Sequence, residues 1–319
     1  MTTNLQGLWC NSNDPPWRGD FHNDVNIEMN YWPADVTNLS ECFEPFFRWV
    51  QSIRAGRTRQ TKAAFNARGW TMRGESGAFG GSTWLWVPGS SAWHCQNLWT
   101  HYEFTQDKAY LKELYPVLKE ICEFWDDRVK TLPDGRLVSP SDFSPENGPY
   151  EDGISFNQEL MWDLFSNYVD ASTILNVDPE YRAKIAAMRD KLLVPKIGKW
   201  GQLQEWMSDI DDPNGKHRHT SHLVGLYPGR QFSPRSTPAL AEGAKVSLIH
   251  RGDDSTGWAL CWRIGMWARL LDGEHCYKLL RHFINPTRQH NISNDTGGGL
   301  YPNLFGACPP LAIDANFGY

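Results

Sequence analysis

SFNQELMWDLFSNYV, residues 155–169, sets Leu160, Met161, Leu164, Phe165, Tyr168 and Val169 three or four positions apart. That spacing gathers all six on one stripe of an α-helix rather than on one face of a strand. Ser155, followed three residues later by Gln158, predicts a capping box at the start of this helix. Working outward, the same period recurs upstream. Residues 92–104 are apolar at Trp93, Leu98 and Tyr102, and after Asp107 a short helix is expected to reach Leu114. Pro116 then opens a second one, because proline suits a first turn and disfavours helix at the residue before it. That helix carries Leu118, Ile121, Cys122, Trp125 and Val129. Downstream, helices are expected over 178–194, 237–251, 256–271 and 273–284, with Gly273 stopping the one that ends at Leu271. Strand patterns are few and short, as at 136–138. Helices parted by long irregular loops predict an all-α toroid, helix pairs ringing a central cleft, since a plain bundle prefers short connections. No linker, low-complexity tract or short repeat divides the 319 residues, so a single domain is expected over 1–319.

The net charge of −6 is spread along the chain with no basic stripe, which argues against a nucleic-acid partner. No apolar run approaches the ~18 residues of a membrane-spanning helix. The opening MTTNLQGLW lacks the basic start and apolar middle of a secretory signal. Cys10, Cys42, Cys95, Cys122, Cys261, Cys276 and Cys308 are odd in number and scattered. They match neither a disulfide framework nor a zinc pattern and read mainly as small buried hydrophobes. The compositional outlier is tryptophan, 16 residues beside 11 Tyr and 15 Phe. Each one singly reads as core; as a group they favour a cleft for the apolar faces of sugars.

Four polar strings interrupt the helices: HNDVNIEMNYWPA at 22–34, SPSDFSPEN at 139–147, HRHTSHLVGLYPG at 217–229 and AIDANFG at 312–318. In an extended backbone His22, Asp24 and Asn26 share a face while Val25 and Ile27 pack away; in a helix His22, Asn26 and Asn30 align instead. Glu146 lies in a proline-bounded loop near aromatic residues, where a carboxyl could have its pKa raised and serve as a general acid, although an exposed loop glutamate is the commoner fate. Asp314 sits inside an apolar run, which is costly unless the group is paired or used. His217, Arg218, His219 and His222 look superficially like a metal site but lack the glutamate of a zincin, and hydroxyl recognition by imidazole and guanidinium is the better use. No metal is expected. Gly297–Gly298–Gly299 has no strand before it and no other glycine-rich phosphate loop occurs, so no cofactor is expected either. Carboxylates and amides brought from distant segments to one cleft suit glycosidic bond cleavage.

These strings together resemble glycoside hydrolase family 95, the inverting α-L-fucosidases with some α-L-galactosidases. The resemblance is carried in order by LQGLW at 5–9, PPW at 15–17, N-x-x-MNYWPA at 26–34, ARGW at 67–70 and HYEFT at 101–105. SP at 139–140, SPEN at 144–147, DLFSN at 163–167, RH-x-SHL at 218–223, GLYPG at 225–229 and IDANFG at 313–318 continue it. It implies an (α/α)6 barrel with a pocket for a terminal L-sugar, and a fucosylated oligosaccharide or glycan as partner. On that pattern Glu146 would protonate the leaving oxygen, Asn26 would hold the attacking water, and Asp314 would activate it. His22, Arg218 and His219 would serve sugar hydroxyls or orient the catalytic groups. The acid and the water-activating groups of an inverting enzyme lie ~6.5–9.5 Å apart.

The sequence departs from the family pattern at Asp24, where asparagine is usual, and at Ala312, where glutamine is common. A carboxylate at 24 could itself polarise the water, or crowd Asp314 and push one of the two pKa values up, so the division of labour between them stays open. Family members carry β-domains before and after the barrel, and the resemblance implies a barrel incomplete at both ends and a secreted or periplasmic setting. Two other outcomes are expected alternatives: an α-L-galactosidase of the same family, or a truncated relative that binds sugar without turnover.

Overall fold

The computed structural model describes residues 2–3, 5, 13–82, 84–287, 297–302, 306–308 and 311–314. Two kinds of helix alternate along them. The helices α1 (Asn26–Val36), α3 (Gly89–Thr105) and α5 (Ser155–Leu175) are buried around most of their circumference. The intervening α2 (Glu44–Phe65), α4 (Lys108–Arg128) and α6 (Pro179–Asp190) each bury a single stripe. After α7 (Pro238–Arg251) the pattern repeats with the enclosed α8 (Gly257–Arg269) and the one-sided α9 (Gly273–Phe283). A helix that is apolar all round has to be enclosed, and one with a single apolar stripe has to cover something. The alternation therefore sorts the chain into an inner and an outer layer. α3 packs on α1, α4 and α5; α5 also packs on α4 and α6; α8 packs on α9.

The inner helices converge on a cluster of aromatic rings. Trp32 of α1, Trp93 of α3 and Trp262 of α8 lie with ring centroids 5.5–6.3 Å apart, and Phe156 of α5 is 5.6 Å from Trp93. Trp70, Trp93, Trp125, Trp262 and Trp267 are fully buried. Much of the tryptophan excess is thus core, each such side chain contributing ~1.5–3 kcal/mol of burial or more. The described cysteines Cys42, Cys95, Cys122, Cys261 and Cys276 are free, and Cys95, Cys122 and Cys261 are buried.

Among the described residues, two-stranded antiparallel ribbons decorate the helices: β1 (Phe21–His22) with β2 (Glu75–Ser76), β3 (Lys130–Thr131) with β4 (Leu137–Val138), β5 (Asp142–Ser144) with β6 (Asn147–Glu151), and β7 (Gly306–Cys308) with β8 (Leu311–Asp314).

Several local expectations are corrected. Pro116 does not split two helices but lies inside α4. The carbonyl it deprives of a partner, four residues back, belongs to the exposed Lys112, where water can reach it. The capping box at Ser155 does not form: Ile154 is the capping residue, Ser155 Oγ donates to the Gln204 carbonyl at 2.5 Å, and Gln158 bridges Ser139, Leu137 and Leu193. Tertiary partners outcompete the local ones. Leu271, with φ +63, is the left-handed residue after α8, whereas Gly273 opens α9. The helix α2 is not among the expected helices, because its second half buries Arg57 and Thr61 instead of apolar residues. Residues 22–26 are neither extended nor helical throughout: His22 ends β1, a turn follows, and Asn26 begins α1.

Candidate active site

Glu146 occupies the tip of the β5–β6 hairpin. Ser144 and Asn147 face each other in register, leaving Pro145 and Glu146 as a two-residue turn. Proline suits the first turn position, but the second demands a positive φ, and Glu146 adopts φ +54. A side chain other than glycine in this region costs ~1–3 kcal/mol and persists where the surroundings over-determine it. Those surroundings come from residues 204–208. Glu205, fully buried, accepts from Ser144 Oγ at 2.5 Å and from Asn147 Nδ2 at 3.0 Å. Trp206 donates its indole N–H to the Pro149 carbonyl at 3.2 Å. A Cβ on Gly148 would come within 1.9 Å of the Trp206 ring, so only glycine, here at φ +68, fits between hairpin and indole.

The second contribution is the turn between β1 and α1. Asn23 locks it by donating to the Arg73 carbonyl at 2.9 Å and to Ser76 Oγ at 3.0 Å, while its own N–H donates to the Gly74 carbonyl at 2.8 Å. His22, Asp24 and Asn26 are thereby held at 8%, 3% and 8% exposure. His22 Nε2 lies 3.7 Å from Glu75 Oε1, and Glu75 pairs with Arg18. The half-exposed Trp17 ring stands edge-on to His22 at 6.2 Å.

The third is the segment 217–223. Arg218 forms an ion pair with Glu146 Oε2, and His219 Nε2 lies 3.2 Å from the same oxygen. His219 is buried between His217, stacked at 5.2 Å, and Trp258 of α8, edge-on at 4.7 Å.

The electrostatics of this cluster reverse one expectation. Burial pushes Glu146 up, but the His219 hydrogen bond and the charges of His219, Arg218 and His217 outweigh it and hold the carboxyl down at about 2. His219 is itself lowered by burial, its bond to Glu146 only partly offsetting that. Asp24 moves the other way. Burial first, then the charges of Glu146 and Glu28, raise it well above the usual carboxylate range, against the pull of Arg218. His22 is lowered to about 4 by burial, despite the charge of Glu146. Asp24 and Glu146 therefore form a pair in which the buried partner keeps the proton and the clamped one is ionised.

The structure thus brings Glu146, Arg218, His219, His22 and Asp24 within electrostatic reach of one another, with Asn26 two residues beyond Asp24. Asp314 closes β8 opposite Gly306. Its strand is one ribbon from the start of α8: a Cβ on Gly257 would lie 3.1 Å from Ala307, and the next residue, Trp258, touches His219. The Asp314 side chain lies outside the described residues. Among the described residues no group of His, Cys, Asp or Glu is arranged to hold a metal. Sequence reasoning misses Glu205 and Glu75; each stands alone among ordinary neighbours, and only the fold reveals its partners.

The layered helices have the architecture of an (α/α) barrel. Solved structures similar to this chain include a glycosidase variant at TM-score 0.59 and 13% identity, covering 88% of this chain and 78% of that one. A putative kojibiose phosphorylase from human microbiome also has TM-score 0.59, at 10% identity, with 88% and 44% covered. The profile of the glycosyl hydrolase family 95 catalytic domain matches residues 1–319, and the chain belongs to that family. It is 34% identical to alpha-L-fucosidase 2 of Arabidopsis thaliana and 34% identical to probable alpha-fucosidase A of Aspergillus niger, all of this chain aligning in both cases. The chain spans 40% and 42% of the length of those relatives.

Proposed function

We propose that this chain is the catalytic barrel of an exo-acting glycoside hydrolase that removes terminal α-L-fucosyl residues from glycans with inversion. The observation that carries this reading is the Glu146 carboxyl at a strained turn, gripped by Arg218 and His219 beside the buried His22 and Asp24. Membership of a family whose relatives are named as fucosidases supports the sugar.

In this reading Asp24 stays neutral and Glu146 carries the proton of the reaction. A bound fucosyl residue offers hydroxyls to Arg218 and His219 and draws them from Glu146, which then takes up a proton from solvent. Glu146 passes that proton to the glycosidic oxygen as the bond from that oxygen to the anomeric carbon breaks. A water held by Asn26 forms the new bond to the anomeric carbon from the opposite face and loses its proton to Asp314. An α-linked sugar leaves as the β-anomer. His22 serves a sugar hydroxyl. Asp24, neutral, occupies the place where the family has asparagine, a group of the same shape and charge.

Glu146→Gln tests the assignment. Hydrolysis of alkyl or glycosyl α-L-fucosides, whose leaving groups need protonation, should fall by about two to four powers of ten, while a dinitrophenyl α-L-fucoside should be cleaved at near the native rate. Equal loss on both, or none on either, would remove Glu146 from the acid role. Assaying the matching α-L-galactosides separates the two sugars. One observation favours a second reading, a sugar-binding relative without turnover: Glu146 is ionised in the unliganded site. That reading predicts saturable fucose binding and no release from any substrate.

A further inference from the structure

We infer that Glu205 is a positioning residue, its buried carboxylate clamping both shoulders of the turn that carries Glu146 and so fixing where the proton donor points. The inference rests on the reading of Glu146 as the reacting carboxyl, and its geometry is independent of which sugar is cleaved.

Every polar group of Glu205 has a directed partner. Oε1 accepts from Ser144 Oγ at 2.5 Å; Oε2 accepts from Asn147 Nδ2 at 3.0 Å and from Arg251 Nη2 at 2.5 Å, with His222 Nδ1 3.7 Å away. Its main-chain N–H donates to Asp211 Oδ1 at 2.9 Å, and its carbonyl accepts from the Ser155 N–H at the start of α5 at 3.1 Å. The residue is 0% exposed. It is therefore fixed to α5 by its backbone and to α7 through Arg251, and the free reach of its side chain ends on the two residues that flank Pro145–Glu146.

A structural ion pair with Arg251 is the competing explanation, since a buried carboxylate needs a cation. That pairing accounts for one oxygen only. The other is spent on Ser144, which carries no charge, and the hairpin is the element whose conformation is costly: Glu146 at φ +54 needs an external constraint. A carboxamide in place of the carboxylate presents an N–H₂ to donors on one side and loses a tether. An aspartate is one carbon too short to reach both shoulders from the same backbone. Misplacing a reacting group by ~1 Å can cost ~10²-fold in rate with little effect on substrate affinity.

The test compares Glu205→Gln and Ser144→Ala with the unmodified chain on two substrates, a methyl α-L-fucoside and a dinitrophenyl α-L-fucoside. Ser144→Ala keeps the Arg251 pair intact and removes one tether, so it speaks even where Glu205→Gln fails to fold. The expected result is a kcat on the methyl glycoside lowered by about ten- to hundredfold for Glu205→Gln and less for Ser144→Ala, with KM and the dinitrophenyl rate within about threefold. A cavity of about 310 Å³, lined by Glu205, Asn147, His222 and Arg251, gives small anions access, so formate should restore part of the lost rate to Glu205→Ala. Unchanged kcat on the methyl glycoside in both variants, or equal losses on both substrates, overturns the inference. If the unmodified chain cleaves neither substrate, the proposed function fails on its own. Glu205 is then judged by the amide NMR signals of Glu146 and Asn147, which must shift or broaden in Ser144→Ala while circular dichroism stays native; unmoved signals overturn it.

Discussion

Asp24 and Glu146 shift in opposite directions, and which of them holds a proton decides what each can do. Asp24 is raised well above the ordinary carboxylate range, burial being the largest cause, so it is neutral at mildly acid pH. Asparagine is its neutral isostere. Asp24→Asn should therefore keep kcat/KM at pH 5–6 within about threefold of native and extend activity to higher pH, because the ionisation that closes the alkaline limb is gone. The stability sign is fixed by the same shift. A carboxyl raised on folding contributes fully below its unfolded pKa of ~4 and loses that contribution as pH rises through the folded value. Asp24→Asn should melt at the native temperature near pH 4 and above it at pH 8. A collapse of activity at pH 5–6 would make Asp24 an ionised base instead. Asp24 can be flagged from sequence as a departure from a resembled motif, but its protonation cannot, because the burial and the approach of Glu146 are tertiary facts. Glu146 shows the converse: its loop is legible from flanking prolines, while His219 and Arg218, 73 and 72 residues away, reverse the expected direction of its pKa.

At the scale of elements, α4 shows how far local rules reach. Its apolar positions Leu118, Ile121, Cys122 and Trp125 are buried as their spacing implies, yet the proline expected to open a helix sits within one. Packing on α3 and α5 holds both halves in line. Replacing Pro116 by Ala restores an N–H toward the Lys112 carbonyl and removes the ring's clash. It should stabilise the chain by about 1–2 kcal/mol in urea unfolding, the helix gain being partly offset by a freer unfolded chain. A loss of stability would mean that the proline ring itself is required by its neighbours. The helix α2 escapes notice in the sequence for a related reason. Its buried stripe runs through Arg57, which donates to Ser76 Oγ at 2.6 Å in the ribbon beneath the His22 turn. A polar residue recruited to support the site breaks the pattern by which a helix is recognised.

Over the whole molecule, the succession of helices is visible in outline from the apolar spacing, which places α3, α7, α8 and α9 within a few residues of their observed bounds and finds the start of α5. What sequence cannot supply is the meeting of the four loops. His22 and Asp24 reach the site from the β1–α1 turn, Glu146 from a hairpin, Arg218 and His219 from an irregular segment, and the backbone of Asp314 comes alongside α8 through β7. Spread in sequence, His22, Asp24, Glu146, Arg218 and His219 are brought together only by the fold. That convergence supports the proposal of a proton donor on one side of a sugar and an activated water on the other. Proton NMR of the first sugar released from an aryl α-L-fucoside tests it most directly. The β-anomer of L-fucose is expected before mutarotation; release of the α-anomer first, or no release at all, would rule out inversion at this site.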